Sequence, residues 1–340
     1  MKIGIQSKHG SYSDQWIAYC QHNHIDYKIV NVYDSDIVEQ LADCNIFMWH
    51  HNHGDYKDVN FAKQLLFSLE ECGIKVFPDF KTGWHFDDKL GQKYLFEAKG
   101  IAAAPAYVFY DKTSALNWAK NTTYPKVFKL RGGAGSANVR LVKSYGDACQ
   151  YINKAFGRGF KPFDAFNHFL NSIKLYSSGT ASLLDITKAW GRIFITPQQA
   201  KQLPTQKGYV YFQEFIPNDG FDFRLEIVKD QMIALVRLCR KNDFRASGGH
   251  MDHFNHEYIT EDVIRFGFDV YDKLNMQSCA LDIVRDNRTN RLYVVEVCYC
   301  YGVDKDEFEH GYWDRAGILH QDEFNGIDLM IENVIKTVNE

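Results

Sequence analysis

Asp282 lies inside Ala280-Leu281-Asp282-Ile283-Val284, and Glu296 inside Val294-Val295-Glu296-Val297. An acid in such an apolar run is costly to bury ionised, so each needs a cation or a partner. Cys279–Val284 and Leu292–Val297 read as two strands of a hairpin around Asp286-Asn287, which sets the acids at facing positions. Facing carboxylates offer hard oxygen ligands. They suit a divalent cation, Mg2+ first because oxygen ligands and phosphates go together, with Mn2+ as a substitute. The plainer reading is that both point outward from a half-exposed sheet.

Lys89 follows Asp88 at a helix start, and Lys129 ends a β-rich run before Arg131-Gly132-Gly133-Ala134-Gly135-Ser136. Ammonium groups and the N–H groups of a flexible loop both neutralise phosphate oxygens, so these residues together would suit a polyphosphate. Either lysine alone reads as a solvated surface residue. The glycine cluster falls between strand-like Val127–Leu130 and Val139–Lys143. It is therefore a hairpin loop, neither a Walker A sequence nor a dinucleotide fingerprint, because no helix opens at its end.

Arg224, Arg237, Arg240 and Arg245 fall on or just after two paired strands. Guanidinium suits a carboxylate clamp and developing phosphoryl charge; surface arginines paired with acids are the alternative. His50, His51 and His53 follow a strand at Ile46–Trp49, at the sheet edge where ligands of open α/β folds bind. His250, His253 and His256 recur every three residues, but their loop setting favours polar surface residues over metal ligands.

These side chains need a scaffold. The chain has 340 residues, enough for roughly two domains at about 150 residues each. It is 45% hydrophobic, 15% aromatic and 24% charged, so it can bury a large core. The net charge of −4 excludes a general nucleic-acid or polybasic membrane binder. Mean hydropathy is −0.37, and no apolar run approaches the ~18 residues that span a bilayer. No secretory leader is expected, since Met1 to Lys8 lacks an apolar stretch. The eight cysteines contain no Cys-x-x-Cys pair and fit reduced core residues, which points to the cytoplasm.

Strands are expected at Lys2–Gln6, Tyr27–Val32, Ile46–Trp49 and Ile74–Phe77. Helices fall between them, one over Ser13–Cys20 capped by Ser13 or Asp14 and one ending at Gly73. Strand, helix and strand at this spacing make a small open α/β sheet. Downstream, a helix capped by Asp87 runs to Gly100. Strands follow at Tyr107–Tyr110 and Val127–Leu130, with a short helix at Ala115–Ala119 between them. Residues 157–207 read as an insertion with one helix near Phe163–Leu175. Strands resume at Tyr209–Ile216, Phe223–Val228 and Met232–Arg240, then a helix capped by Thr260, and a last helix near Ile327–Val338.

The order of these features resembles the ATP-grasp superfamily, most closely its ribosomal-protein glutamate ligase and lysine-biosynthesis ligase branch. The resemblance rests on Gln213-Glu214-Phe215-Ile216, Asp222-Phe223-Arg224, Arg237 and Asp243-Phe244-Arg245. Asp88-Lys89 with Gly100-Ile101 and Pro125 to Lys129 with the glycine loop extend it upstream, and Asp282 and Glu296 close it. It covers roughly residues 85–150 and 208–303. It implies an α/β (α+β) chain with a small α/β domain over 1–84 before a two-part grasp. The central part would be 85–207, with the insertion at about 157–207, and the C-terminal part 208–340.

The resemblance further implies ATP and Mg2+, one or two ions, as ligands. Lys89 and Lys129 would contact the phosphates, and Gly132, Gly133, Gly135 and Ser136 would close over them. Gln213 to Ile216 would lie along adenine, with backbone groups of Glu214 and Ile216 reading its edge, and Asp222 would take the ribose hydroxyls. Asp282 and Glu296 would hold Mg2+. Arg237 and Arg245, with Arg224 nearby, match positions that hold an acidic substrate or its acyl phosphate. The implied activity is ADP-forming ligation of small-molecule carboxylate and amine substrates, with homodimerisation left open. A phosphotransferase and a catalytically weak nucleotide-binding protein are the alternatives.

One position departs from the pattern. The family's Glu-x-Asn becomes Glu296-Val297-Cys298, and a thiol is a poor ligand for Mg2+. Asp304 or water would have to replace the amide, or a second ion would be weakly held. Ligases with a Trp- and His-rich leader and a Glu-Val-x-Tyr ending like this one also imply a sugar acid or amino acid of cell-surface polysaccharide synthesis as substrate.

Overall fold

Parallel strands alternating with helices build the first of three sheets. They are β1 (Lys2–Gln6), α1 (Tyr12–His22), β2 (Asp26–Val30), α2 (Ile37–Gln40), β3 (Ile46–Met48), α3 (Tyr56–Glu71) and β4 (Lys75–Phe77). The strand order is β2-β1-β3-β4, every pair parallel. Parallel neighbours need a crossover, which each helix supplies, and the inner strands become apolar on both faces. Ile3, Ile5, Ile46, Phe47 and Met48 are accordingly fully buried. The cap of α1 is Ser11, whose side chain accepts from the Ser13 N–H, rather than Ser13 or Asp14. Asp14 sits in the first turn, where its carboxylate favours the positive helix end and accepts from the Gly10 N–H at 2.8 Å. Helix α3 ends as expected at Gly73, in the left-handed region with φ +83°.

The computed structural model describes residues 1–132, 139–161, 169–170, 172–173, 176, 182–194, 202–239, 243–246, 252–254, 256–302 and 310–339. The second sheet follows α4 (Phe80–Gly83) and α5 (Lys89–Ala98). It contains β5 (Ala106–Phe109), β6 (Lys126–Lys129), β7 (Arg140–Val142) and β8 (Val210–Glu214) in the antiparallel order β5-β8-β6-β7. Helices α6 (Lys112–Asn121) and α7 (Tyr145–Ala155) pack on it, and α8 (Leu183–Phe194) follows before β8 in the chain. Asp88, not Asp87, caps α5, accepting from the Gly91 N–H at 3.0 Å. Strands β6 and β7 pair around the glycine cluster as a hairpin. Gly132 is described; Gly133, Gly135 and Ser136 lie outside the described residues, as does most of the helix expected near 163–175. Helix α8 was not anticipated.

The third sheet is the largest. It comprises β9 (Phe221–Val228), β10 (Gln231–Leu238), β11 (Asp252–His253), β12 (Cys279–Arg285), β13 (Leu292–Cys298), β14 (Tyr312–Trp313) and β15 (Leu319–His320). The order is β13-β12-β9-β10-β14-β15, with β11 on β10. Helices α9 (Glu261–Leu274) and α10 (Gly326–Asn339) complete this part. Thr260 precedes α9 as expected, but its hydroxyl bonds Asp262 rather than a backbone N–H. Gly267 lets α9 press onto the sheet, since a Cβ there would lie 2.6 Å from Leu225 Cδ1. One continuous core joins the first sheet to the third: Trp16 and Phe77 share it with Leu225, Leu281 and Ile331. The second sheet keeps a separate core around Phe128 and Phe212.

Candidate active site

The register of the third sheet places charge in rows on one face. Asp282 stands opposite Glu296 on β13 and opposite Arg224 on β9. Asp222, two residues before Arg224, shares its face and stands opposite Arg237 on β10. The two acids expected to face each other therefore do so. Arg224 donates from Nη1 to Asp282 Oδ1 at 2.7 Å and from Nε to Glu226 Oε1 at 3.2 Å. Arg237 donates to both oxygens of Asp222 at 2.8 Å, and its Nη2 lies 2.9 Å from Asp282 Oδ2. The arginines pair with acids, as the alternative reading held, but in a buried cluster rather than on the surface.

These contacts fix the charge states. Burial pushes the Asp282 carboxyl up, yet Arg237 and Arg224 outweigh it and hold it down at about 2. Burial raises Asp222 to about 6 against the pull of Arg237. Desolvation opposes the charge on both guanidiniums, and the neighbouring carboxylates more than restore it.

Lys89 and Lys129 are each 5% exposed, so neither is a solvated surface residue. Lys89 opens α5, and its Nζ donates to Glu296 Oε1 at 3.1 Å. Its backbone N–H binds the Arg131 carbonyl at 2.9 Å, which ties the helix start to the base of the glycine loop. Burial lowers Lys129 to about 8, with Glu296 opposing and Lys89 reinforcing the shift.

Strand β8 supplies the opposite wall. Ala106 pairs with Gln213, so Pro105 stands opposite Glu214 and accepts the Glu214 N–H at 2.8 Å. Proline has no N–H to return, so the Glu214 carbonyl receives no ladder bond from that strand. The Ile216 carbonyl accepts from the Asn218 side chain at 3.1 Å. Pro105 carries no signal of this role in the sequence, because it depends on a long-range strand pairing.

A cavity of about 310 Å3 lies between the two sheets. Lys89 and Lys129 line it, as do Gln213, Glu214 and Ile216 from the strand edge, Asp222, Arg224, Arg237, Asp282 and Glu296 from the large sheet, and Arg245 from the loop segment after β10. Gly132 is not among the lining residues. Arg245 reaches the cavity while its guanidinium is held by Asp243 at 2.9 Å. Cys298 occupies the row beyond Glu296, and its thiol donates to the Cys300 carbonyl at 2.7 Å, with burial pushing it well up. His53 is the member of the first histidine cluster on the cavity wall. His50 instead lies 2.9 Å from Cys300 Sγ and stacks on Tyr12 at 3.7 Å. His253 and His256 do not line the cavity; Arg240, His250 and Asp304 lie outside the described residues.

Asp282 and Glu296 present only oxygen, the donor set a hard cation takes, and Mg2+ commonly uses one or two carboxylates with phosphates completing its shell. The protonated Cys298 does not extend that oxygen set. Among the described residues no group of three His, Cys, Asp or Glu side chains is arranged to hold a metal, and no helix is long and apolar enough to cross a membrane.

No family model matches the chain, and no curated protein matches its sequence. Solved structures do match. A D-alanine–D-alanine ligase from Bacillus anthracis aligns at a TM-score of 0.56 and 15% identity, over 100% of this chain and 99% of its own. A RimK domain ATP-grasp protein from Sphaerobacter thermophilus aligns at 0.55 and 13%, over 98% and 100%. The biotin carboxylase domain dimer of 2-oxoglutarate carboxylase from Hydrogenobacter thermophilus, solved with Mg-ADP and bicarbonate, aligns at 0.57 and 13%, over 98% and 69%. Proteins of different chemistry thus match equally well, and what they share with this chain is the architecture: the chain has the ATP-grasp fold.

Proposed function

We propose that the protein is an ATP-dependent carboxylate–amine ligase working through an acyl phosphate, nearest to the ribosomal-protein glutamate ligase and lysine-biosynthesis branch. The observation that carries this is the convergence, in one cavity, of two buried lysines, a facing pair of acids and a strand edge with an unreturned carbonyl. The base would lie along Gln213 to Ile216, with the Glu214 carbonyl accepting from its amino group and Asp222 near the ribose. Lys89 and Lys129 would hold the phosphate oxygens, with the glycine loop from Gly132 onward over them. Asp282 and Glu296 would hold Mg2+, which supplies positive charge against the phosphates when bound.

A substrate carboxylate oxygen would attack the γ-phosphorus, with ADP leaving. Lys129, Arg224 and Arg237 stabilise the charge on the transferring group, and Arg245 orients the carboxylate. An amine then attacks the acyl carbon, forming C–N and breaking C–O, and phosphate departs carrying the proton the amine loses. The work is positioning and electrostatic stabilisation. Sugar acids and amino acids are the first substrates to screen.

Incubation with Mg-ATP and pools of carboxylates and amines should release ADP and phosphate together. Phosphate retained on a product would make the protein a phosphotransferase. Tight nucleotide binding with no turnover in any mixture would sink both enzymatic readings.

A further inference from the structure

Lys126 of β6 is 1% exposed, and its Nζ donates to Glu214 Oε1 at 2.6 Å. The hydroxyl of Tyr107 on β5 donates to the same oxygen at 3.0 Å. Lys126 stands opposite Glu214 and Tyr107 opposite Phe212, so β8 is gripped from both flanking strands. Strand alternation puts this grip on the face away from the cavity, while Lys129 and Gln213 take the cavity side. An ammonium so completely desolvated needs its counter-charge, and Glu214 cannot swing away without stranding it. Beyond Glu214 the chain leaves the sheet and crosses to β9 outside any strand. Glu214 is therefore the last residue the second sheet fixes before the segment that ends at Phe221.

We infer that Lys126 and Tyr107 are positioning residues for the nucleobase: by clamping the Glu214 side chain from behind, they hold its carbonyl and Ile216 in register with the edge of an adenine. This rests on the nucleotide reading above. A carbonyl in that place accepts from the adenine amino group and opposes the guanine O6, itself an acceptor. The clamp should then matter for adenine and not for guanine.

The test is calorimetric titration of the full chain with AMP-PNP and with GMP-PNP in the presence of Mg2+. The wild type should prefer AMP-PNP. Lys126→Met should weaken AMP-PNP about tenfold, equivalent to about 1.4 kcal/mol, with GMP-PNP unchanged within about twofold. Lys126→Met combined with Glu214→Gln removes both charges and should recover part of the loss. Tyr107→Phe keeps the ring and should weaken AMP-PNP about threefold; it carries the test alone if Lys126→Met does not fold. Equal loss for both analogues would reduce the clamp to a structural role and overturn the inference, as would unchanged AMP-PNP affinity in the variants. A wild type that binds neither analogue overturns the nucleotide reading itself, and this inference with it.

Discussion

Arg224 and Asp282 face each other across β9 and β12, and their charged groups meet at 2.7 Å. Arg237 takes the other oxygen of the same carboxylate at 2.9 Å. An entering cation must therefore compete with two guanidiniums, and a polyphosphate gives those guanidiniums somewhere else to go. Mn2+ alone should bind weakly by electron paramagnetic resonance titration, and AMP-PNP should tighten it at least about tenfold, or about 1.4 kcal/mol. Equal Mn2+ affinity with and without nucleotide would refute the competition.

Glu226 is 2% exposed and accepts from Arg224 Nε at 3.2 Å. Removing one partner of a buried ion pair leaves charge uncompensated, at a cost of about 3–5 kcal/mol. Glu226→Ala should lose stability on that scale in urea denaturation, although Glu226 is not assigned to any ligand. A loss below about 1 kcal/mol would mean Arg224 is satisfied by Asp282 alone.

Lys129 titrates at about 8 in the folded chain against 10.5 for a free lysine. Between those values the unfolded chain holds a proton that the folded chain has lost. Stability therefore rises with pH through this window, and below it the buried charge is a net cost. Lys129→Met should be more stable than the parent at neutral pH, with the difference closing by about pH 10.5. The same variant should bind AMP-PNP about ten- to a hundredfold more weakly, through loss of a charged contact worth about 1.5–3 kcal/mol. Thermal melts across pH and a binding titration check the two halves separately.

Cys298 stands beside the acid pair with a protonated thiol turned to the Cys300 carbonyl. Cys298→Asn supplies an oxygen where the thiol offers none, and should raise Mn2+ stoichiometry in the AMP-PNP complex toward a second ion. Unchanged stoichiometry, measured by the same resonance titration, would show that the second position depends on other residues.

Local pattern carried most of the strands, because alternating and uniformly apolar runs mark which faces are buried. The hairpin itself was legible, but the pairing of Asp282 with Glu296 depends on a β-bulge between Asp282 and Ile283, beyond a turn that runs from Asp286 to Arg291 rather than over Asp286-Asn287 alone. The helix starts slipped by one to three residues: Ser11 caps in place of Ser13 or Asp14, and Asp88 in place of Asp87. Several adjacent polar residues can each cap, and the chain's approach to the helix decides among them. Glu226 was legible in principle, for Asp222, Arg224 and Glu226 alternate with apolar residues on one strand. Lys126 and Pro105 were not, because their partners lie in strands far along the chain and no local period encodes that pairing.

Among the described residues, the cavity gathers Lys89, Lys129, Arg224, Arg237 and Arg245 beside Glu214, Asp222, Asp282 and Glu296, with Glu226 paired to Arg224. Its formal charges cancel, so the open cavity projects little field into solvent. A nucleotide should reach it at an ordinary diffusive rate that salt slows only slightly, and its negative charge should matter once the ion pairs have exchanged partners rather than during the approach.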